Sequence, residues 1–124
     1  MDQYSPFKGK TGLQRILNAT GYSMAGFKSA FRHEAAFRQI VLLNIVLLPI
    51  NLYLNLTKIE HLLLILVGLL ALIVELFNSA IEAVVDRVSL EKHPLAKNAK
   101  DMGSAAQFVA LSIIAITWAM ILLF

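Results

Sequence analysis

A stripe of polar side chains runs along one face of an apolar segment that otherwise resembles a membrane helix. At ~100° per residue, these side chains share one narrow face of an α-helix. The members of the stripe, within the sequence VELFNSAIEAVVDR, are Glu75, Asn78, Ser79, Glu82 and Asp86. A lone acid in hydrocarbon costs about 2.5 kcal/mol or more on insertion scales. We therefore expect this polar face to have a function.

The spacing of the two glutamates indicates two separate tasks. Glu75 and Glu82 are about 10 Å apart along the helix axis, so one metal ion is not expected to bind both. Glu75, the deeper carboxylate, suits a general base. Glu82 is shallower and, near a second acid such as Glu34, suits Mg²⁺, which prefers carboxylate and phosphate oxygens.

Basic residues on the same side extend this set. Phosphate charge could be balanced by Arg15, His93 and Lys100. With Asn78 as a hydrogen-bonding neighbour, a metal, a cation and a base are the parts that phosphoryl transfer requires. Spacing alone leaves two alternatives open: a polar stripe that pairs with itself to join helices, and a proton-coupled transporter. The absence of cysteine excludes disulfides, a thiol nucleophile and a thiolate metal site.

The elements that position these residues follow from the distribution of apolar side chains. The chain is 58% hydrophobic, above the roughly 45–50% of soluble domains. The excess lies in runs near residues 36–54, 59–86 and 102–124, each close to the ~20 residues that a spanning helix needs. The chain is therefore predicted to form one all-α integral-membrane domain, with residues 1–34 as a cytoplasmic or interfacial segment.

The residues before the first span predict an amphipathic helix. Residues 13–33 combine an apolar side with basic residues, a pattern typical of a helix lying in the membrane interface. The glycine and serine in residues 21–23 are expected to break or bend it. Glu34 and Arg38, one turn apart, are expected to face the same way and could form an ion pair.

Three polar residues within the spans have predicted structural roles. Asn44 and Asn51 are expected to form hydrogen bonds with other helices. Asp101 is expected at the N-terminal end of the third span, where the helix dipole favours an acid.

The distribution of charge predicts the orientation of the chain in the membrane. Of the 11 lysines and arginines, all but Lys58 lie before or at the very start of the first span or in residues 87–101. By the positive-inside rule, the N-terminus and residues 87–101 are cytoplasmic, while residues 55–60 and the C-terminus are outside. The acidic end of the polar face then faces the cytoplasm, where nucleotides are found.

Two long motifs resemble the signature of the prokaryotic integral-membrane diacylglycerol kinase family: ELFNSAIEAVVDR at residues 75–87 and AKDMGSAA at residues 99–106. EAAFRQ at residues 34–39 and ATGYS at residues 19–23 extend the resemblance over nearly the whole chain. Undecaprenol kinase, a sister activity on a similar scaffold, is the nearest alternative. The residues of the two long motifs favour diacylglycerol as the substrate. Departures from the family's pattern affect contact details rather than the reaction: Met24, Ile40, Lys92 and Pro94.

The resemblance implies a homotrimeric lipid kinase of the bacterial inner membrane, with composite active sites between subunits. It implies transfer of the γ-phosphoryl group of MgATP to the primary hydroxyl of diacylglycerol, giving phosphatidic acid, and no nucleic-acid partner. Glu75 matches the family's proposed catalytic base, and Asn78 matches a residue needed beside it. Glu34 and Glu82 match the metal ligands that hold the nucleotide phosphates.

The remaining matches are nucleotide and lipid contacts. Besides the two metal ligands, the nucleotide would be contacted by Arg15, Tyr22, Glu91, His93, Lys100 and Asp101. The glycerol region of the lipid would be held by Ser23, Arg38, Gln39 and Ser104.

Overall fold

The computed structural model describes residues 11–124, which form four α-helices and, within that range, no strand. The helices are α1 (Gly12–His33), α2 (Ala35–Tyr53), α3 (Lys58–Val88) and α4 (Pro94–Leu123). The predicted all-α architecture is confirmed. The first residues of the predicted interfacial segment, 1–10, lie outside the described residues.

Helix α1 is continuous and mostly exposed. It has no break at residues 21–23, so the predicted break is not found. A glycine in a helix interior costs only about 1 kcal/mol relative to alanine, which the flanking helical turns can offset. Ala30 is its one buried residue, whereas Leu13 is 71% and Ile16 58% exposed. This exposed apolar side suits a helix in the membrane interface.

A single extended residue separates α1 from α2. Glu34 has φ −117° and ψ 105°, and its backbone N–H donates to the carbonyl oxygen of Ala30 at 2.9 Å. The guanidinium of Arg38 donates from Nη1 to the carbonyl oxygens of Phe31 (2.8 Å) and Arg32 (3.3 Å). The predicted pair between Glu34 and Arg38 is therefore not formed, because Arg38 caps carbonyls that the last turn of α1 leaves unsatisfied.

Two asparagines join α2 to α3, as predicted. Asn44 donates from Nδ2 to the carbonyl oxygen of Gly68 at 3.2 Å. Asn51, only 1% exposed, donates to the carbonyl oxygen of His61 at 3.0 Å, and its Oδ1 lies 2.6 Å from the His61 Nδ1. In hydrocarbon, lipid chains are as apolar as the helix surface, so apolar contacts favour helix association little. Amide hydrogen bonds such as these help to hold the helices together.

Helix α3 begins with a capping box. The Thr57 hydroxyl accepts from the backbone N–H of Glu60, and the Glu60 carboxylate accepts from the backbone N–H of Thr57. The helix contains 31 residues. That corresponds to ~46 Å at 1.5 Å per residue, longer than the ~30 Å hydrocarbon core of a bilayer. A helix of this length that crosses a bilayer therefore extends beyond the hydrocarbon.

Helix α4 starts earlier than the sequence indicated. Pro94 occupies its first turn, and His93 caps it by accepting the backbone N–H of Leu95 at Nδ1, 3.1 Å away. Proline suits this position because its missing N–H has no partner in the first turn of a helix. Asp101 consequently lies inside α4 rather than at its N-terminal end, and the predicted dipole role of Asp101 is wrong.

Three of the helices, α2, α3 and α4, are long and apolar enough to cross a membrane. Their shared core is small, and its buried members are Ile40, Val67, Ala71, Ala110 and Ile114. Most large apolar side chains of these helices remain exposed, which suits contact with lipid or with further protein.

Candidate functional site

Glu75 lies buried between α3 and α4 and is held by Gln107, a residue not predicted to belong to the site. Its side chain is 3% exposed. The Gln107 amide donates from Nε2 to Glu75 Oε2 at 2.9 Å and to the carbonyl oxygen of Ala71 at 3.2 Å. A buried carboxylate with a charge-assisted hydrogen bond has a defined position, as a general base requires.

Small residues at helical spacing allow α3 and α4 to approach. On α3 the buried residues are Leu64, Val67, Gly68, Ala71 and Glu75. On α4 they are Gly103, Gln107, Ala110 and Ile114. In both sets the buried residues recur about once per helical turn, so each set forms one face of its helix. The face of α3 also meets α2 at Gly68, and we call its contact with α4, at Ala71, Glu75 and Asn78, the α3–α4 interface.

Asn78, the predicted partner of the base, lies at the same interface one turn further along α3. A methyl group placed on Gly103 would overlap its amide oxygen. Within residues 11–124, Asn78 Oδ1 and the neighbouring Ser79 Oγ are buried without a hydrogen-bond partner. Unsatisfied buried polar atoms are rare in native proteins, so these two atoms are candidates to meet a substrate or water.

A pocket of about 670 Å³ opens where α3 ends and α4 begins. We call it the loop pocket. Its lining contains four of the predicted nucleotide contacts, Glu91, His93, Lys100 and Asp101, together with residues such as Asp86 and Lys97. Its volume lies within the roughly 300–1,000 Å³ typical of ligand pockets.

Charged residues that line the loop pocket form ion pairs with one another. The Lys100 Nζ lies 2.8 Å from Asp86 Oδ1, joining α4 to α3, and Lys97 pairs with Asp101 along α4. All four side chains are substantially exposed, so each pair is weakened by water and can rearrange around a charged ligand. The pocket can therefore offer lysine cations to phosphate groups once a ligand enters.

The remaining predicted site residues are not gathered at this pocket. Within the described chain, α1 packs against α2, and the loop pocket has no lining residue from α1. Arg15, Tyr22 and Ser23 lie exposed on α1, and Arg38 and Gln39 lie exposed at the start of α2. Ser104 is exposed on α4, beside Gly103.

Glu34 and Glu82 are suitable donors for Mg²⁺. Both carboxylates are half-buried, and within residues 11–124 neither forms a side-chain hydrogen bond or an ion pair. The same range contains no group of three or more His, Asp or Glu side chains close enough to hold a metal ion by themselves. Two carboxylates leave most of the six Mg²⁺ positions for phosphate oxygens and water, so the donor set fits a metal that arrives with a nucleotide.

Gln107 is neither an acid nor a base, so residue type alone did not mark it as part of the site. One signal was present: Gln107 is an isolated polar residue in an apolar run, one turn after Gly103 and one turn before Ala110. Helical periodicity places the three on one face, which identifies a polar side chain directed at a close helix neighbour. The identity of that neighbour, Glu75, could not be read from spacing.

Comparisons with known proteins agree with these features. The family model described as prokaryotic diacylglycerol kinase matches residues 21–122. The diacylglycerol kinase of Pseudomonas aeruginosa is 73% identical over 119 residues, covering 96% of this chain and 97% of the relative. Those of Haemophilus influenzae and Escherichia coli K12 are 49% and 46% identical, covering 92% and 90% of this chain and 97% and 92% of the relatives. These matches confirm the predicted class of enzyme, a kinase. The chain belongs to the prokaryotic diacylglycerol kinase family.

Proposed function

We propose that this kinase transfers the γ-phosphoryl group of MgATP to the primary hydroxyl of sn-1,2-diacylglycerol, giving phosphatidic acid and ADP. The observation that carries the proposal is the position of Glu75. This buried carboxylate lies within a helix long and apolar enough to cross a membrane, and the C-terminal end of the same helix lines the loop pocket. A lipid hydroxyl can approach from the bilayer while a nucleotide occupies the aqueous end.

Glu75 acts as the general base in this proposal. Its Oε2 is engaged by Gln107, so Oε1 accepts the proton of the lipid hydroxyl. The hydroxyl oxygen forms a bond to the γ-phosphorus while the bond from that phosphorus to the β–γ bridging oxygen breaks. ADP leaves with the electron pair of the broken bond. Asn78, one turn along α3 from the base, is proposed as its hydrogen-bonding neighbour, with its amide oxygen buried against Gly103.

The nucleotide is held by the loop pocket and by residues of α1. Lys100 gives up part of its pairing with Asp86 to neutralise phosphate charge. Glu34 and Glu82 would hold Mg²⁺, which when bound neutralises the phosphate oxygens. The other proposed nucleotide contacts are Arg15, Tyr22, Glu91, His93 and Asp101.

The proposed lipid contacts and the assembly complete the site. Ser23, Arg38, Gln39 and Ser104 are proposed to hold the glycerol region of diacylglycerol. We propose a homotrimer with composite sites, because α1 of one chain lies apart from the loop pocket of the same chain and carries large exposed apolar surface. A neighbouring subunit would bring the two together.

The protein is proposed to lie in the bacterial inner membrane, with the N-terminus and the loop pocket on the cytoplasmic side and the C-terminus outside. The basic residues flanking α2 and α4 favour this orientation. The cytoplasm also supplies MgATP to the loop pocket. A single reporter fused to either end of the chain tests the orientation.

The test is phosphate transfer by the purified protein in mixed micelles with MgATP, offered diacylglycerol and undecaprenol in parallel. Preference for diacylglycerol, abolished by Glu75→Gln in a variant that keeps the wild-type oligomer, is the expected result. Preference for undecaprenol would reject diacylglycerol as the substrate and leave the proposed mechanism of phosphoryl transfer unchanged. Transfer to neither lipid would reject the proposed reaction, and substrate–proton exchange in vesicles would then test the transporter alternative.

A further inference from the structure

Gln107 is a buried polar residue at a position where packing alone would favour an apolar one. Its side chain is 9% exposed and lies among Gly103, Ala110 and Ala71. Within residues 11–124, its Oε1 is buried without a hydrogen-bond partner. Such an oxygen lowers stability, and an apolar side chain of similar size would avoid that cost. Packing of the α3–α4 interface therefore does not explain this residue.

The surroundings of Gln107 determine which end of its amide faces the base. The carbonyl oxygen of Ala71 can only accept a hydrogen bond, so the NH₂ group must point toward it. The same nitrogen lies 2.9 Å from Glu75 Oε2. The Gln107 amide therefore donates one N–H to the backbone of α3 at Ala71 and the other to the carboxylate of Glu75 on the same helix.

We propose that Gln107 is the positioning residue for Glu75, a role that rests on the proposed function of Glu75 as the base. The amide, anchored on the Ala71 carbonyl, holds Oε2 and leaves Oε1 directed toward the lipid hydroxyl. Hydrogen bonds to ionised groups are shorter and about twice as strong as neutral ones, so the anchor is most effective when Glu75 is ready to accept a proton. Gln107 itself touches no reacting atom.

The first test replaces Gln107 with methionine, which has similar length and no N–H. Because a misplacement of about 1 Å can cost on the order of 100-fold in rate, kcat of Gln107→Met should fall ~10-fold to ~100-fold. The KM values for MgATP and diacylglycerol should stay within about twofold, because bound substrates contact other residues. Gln107→Leu provides a second variant if the methionine protein does not assemble.

Asn44→Leu is the matched control. It removes another amide that donates to a backbone carbonyl across a helix contact, that of Gly68, two turns of α3 before the base. The control should lose thermal stability and keep the wild-type kcat. An equal fall of kcat in Gln107→Met and Asn44→Leu, an effect on KM alone, or a wild-type kcat in Gln107→Met would overturn the proposal.

A double-mutant cycle with Glu75→Asp separates this inference from the proposed function. The shorter aspartate should lose contact with Gln107, so adding Gln107→Met should change its residual kcat by less than about twofold. A full additional loss in the Glu75→Asp background would show that Gln107 acts elsewhere. Wild-type protein inactive on diacylglycerol, or a Glu75→Gln variant with near-normal turnover, would instead reject the proposed function. An inactive Glu75→Gln with an unaffected Gln107→Met would reject the positioning role alone.

Discussion

Asn78 of α3 lies directly against Gly103 of α4, so closely that a methyl group on Gly103 would overlap the Asn78 amide oxygen. The same arrangement recurs where Asn44 of α2 faces Gly68 of α3. In both pairs, an amide occupies the space that the missing side chain of a glycine leaves. These contacts set how closely the helices approach and thereby where the polar side chains of α3 lie.

Gly103→Ala should destabilise the protein and reduce its activity. Overpacking of a close helix contact typically costs 1–3 kcal/mol, which exceeds the gain of about 1 kcal/mol from replacing glycine in a helix. We expect a lower unfolding temperature in detergent micelles and a fall in kcat, since Asn78 must move. Gly26→Ala is the control, because nothing beyond the neighbouring residues and backbone of its own helix lies within 4 Å of the added methyl group, and it should be neutral or stabilising. A fully stable and active Gly103→Ala would show that this contact does not position Asn78.

Asp86→Asn and Lys100→Met should have opposite consequences for nucleotide binding. Removing the Asp86 carboxylate frees Lys100 for phosphate, so KM for MgATP should stay unchanged or fall. Removing the lysine charge should lower kcat/KM for MgATP by about 10-fold or more, the typical cost of a lost hydrogen bond to a charged group. Steady-state kinetics at varied MgATP measure both, with Lys58→Met, at the exposed N-terminal end of α3, as the control. If Asp86→Asn were as harmful as Lys100→Met, the ion pair itself would be the required feature.

Asn51→Leu should affect stability and leave the chemistry intact. The variant loses the hydrogen bonds of Asn51 with the carbonyl and ring of His61, leaving those groups unsatisfied between α2 and α3. We expect the free energy of unfolding to fall by about 1–3 kcal/mol. The kcat of the assembled protein should remain near the wild-type value. Asn55→Leu, at an exposed position in the connection, is the control and should change neither quantity. A large loss of kcat in Asn51→Leu would connect this end of the bundle to catalysis.

Magnesium should bind together with the nucleotide rather than to the free protein. Glu34 and Glu82 supply too few ligands for a site of their own, so calorimetric titration with Mg²⁺ alone should show no tight site. Glu34→Gln and Glu82→Gln should each raise the Mg²⁺ concentration needed for half-maximal activity at saturating ATP. Glu60→Gln, in the capping box of α3, should leave that concentration unchanged. A tight Mg²⁺ site in the nucleotide-free protein would contradict the proposal that protein and nucleotide share the coordination of the metal.

The sequence by itself determined the number of membrane-capable helices and the composition of the polar face of α3. Runs of apolar residues set the length of α2 and α3, because a helix must satisfy its own backbone groups in hydrocarbon. The periodicity of Glu75, Asn78 and Glu82 placed them on one side without any tertiary information. The motifs around them also sufficed to identify the family.

Only the tertiary structure decided which residue meets Glu75 and where the charges of the loop pocket pair. Periodicity fixes which side chains share a face of one helix and leaves the rotation and register of two helices undetermined. Those follow from close packing, here of Gly103 and Ala110 against α3, which brings Gln107 onto the base. The start of α4 at Pro94 could likewise not be predicted from apolar periodicity. Its first turns are polar, so no run of apolar residues marks them as helical.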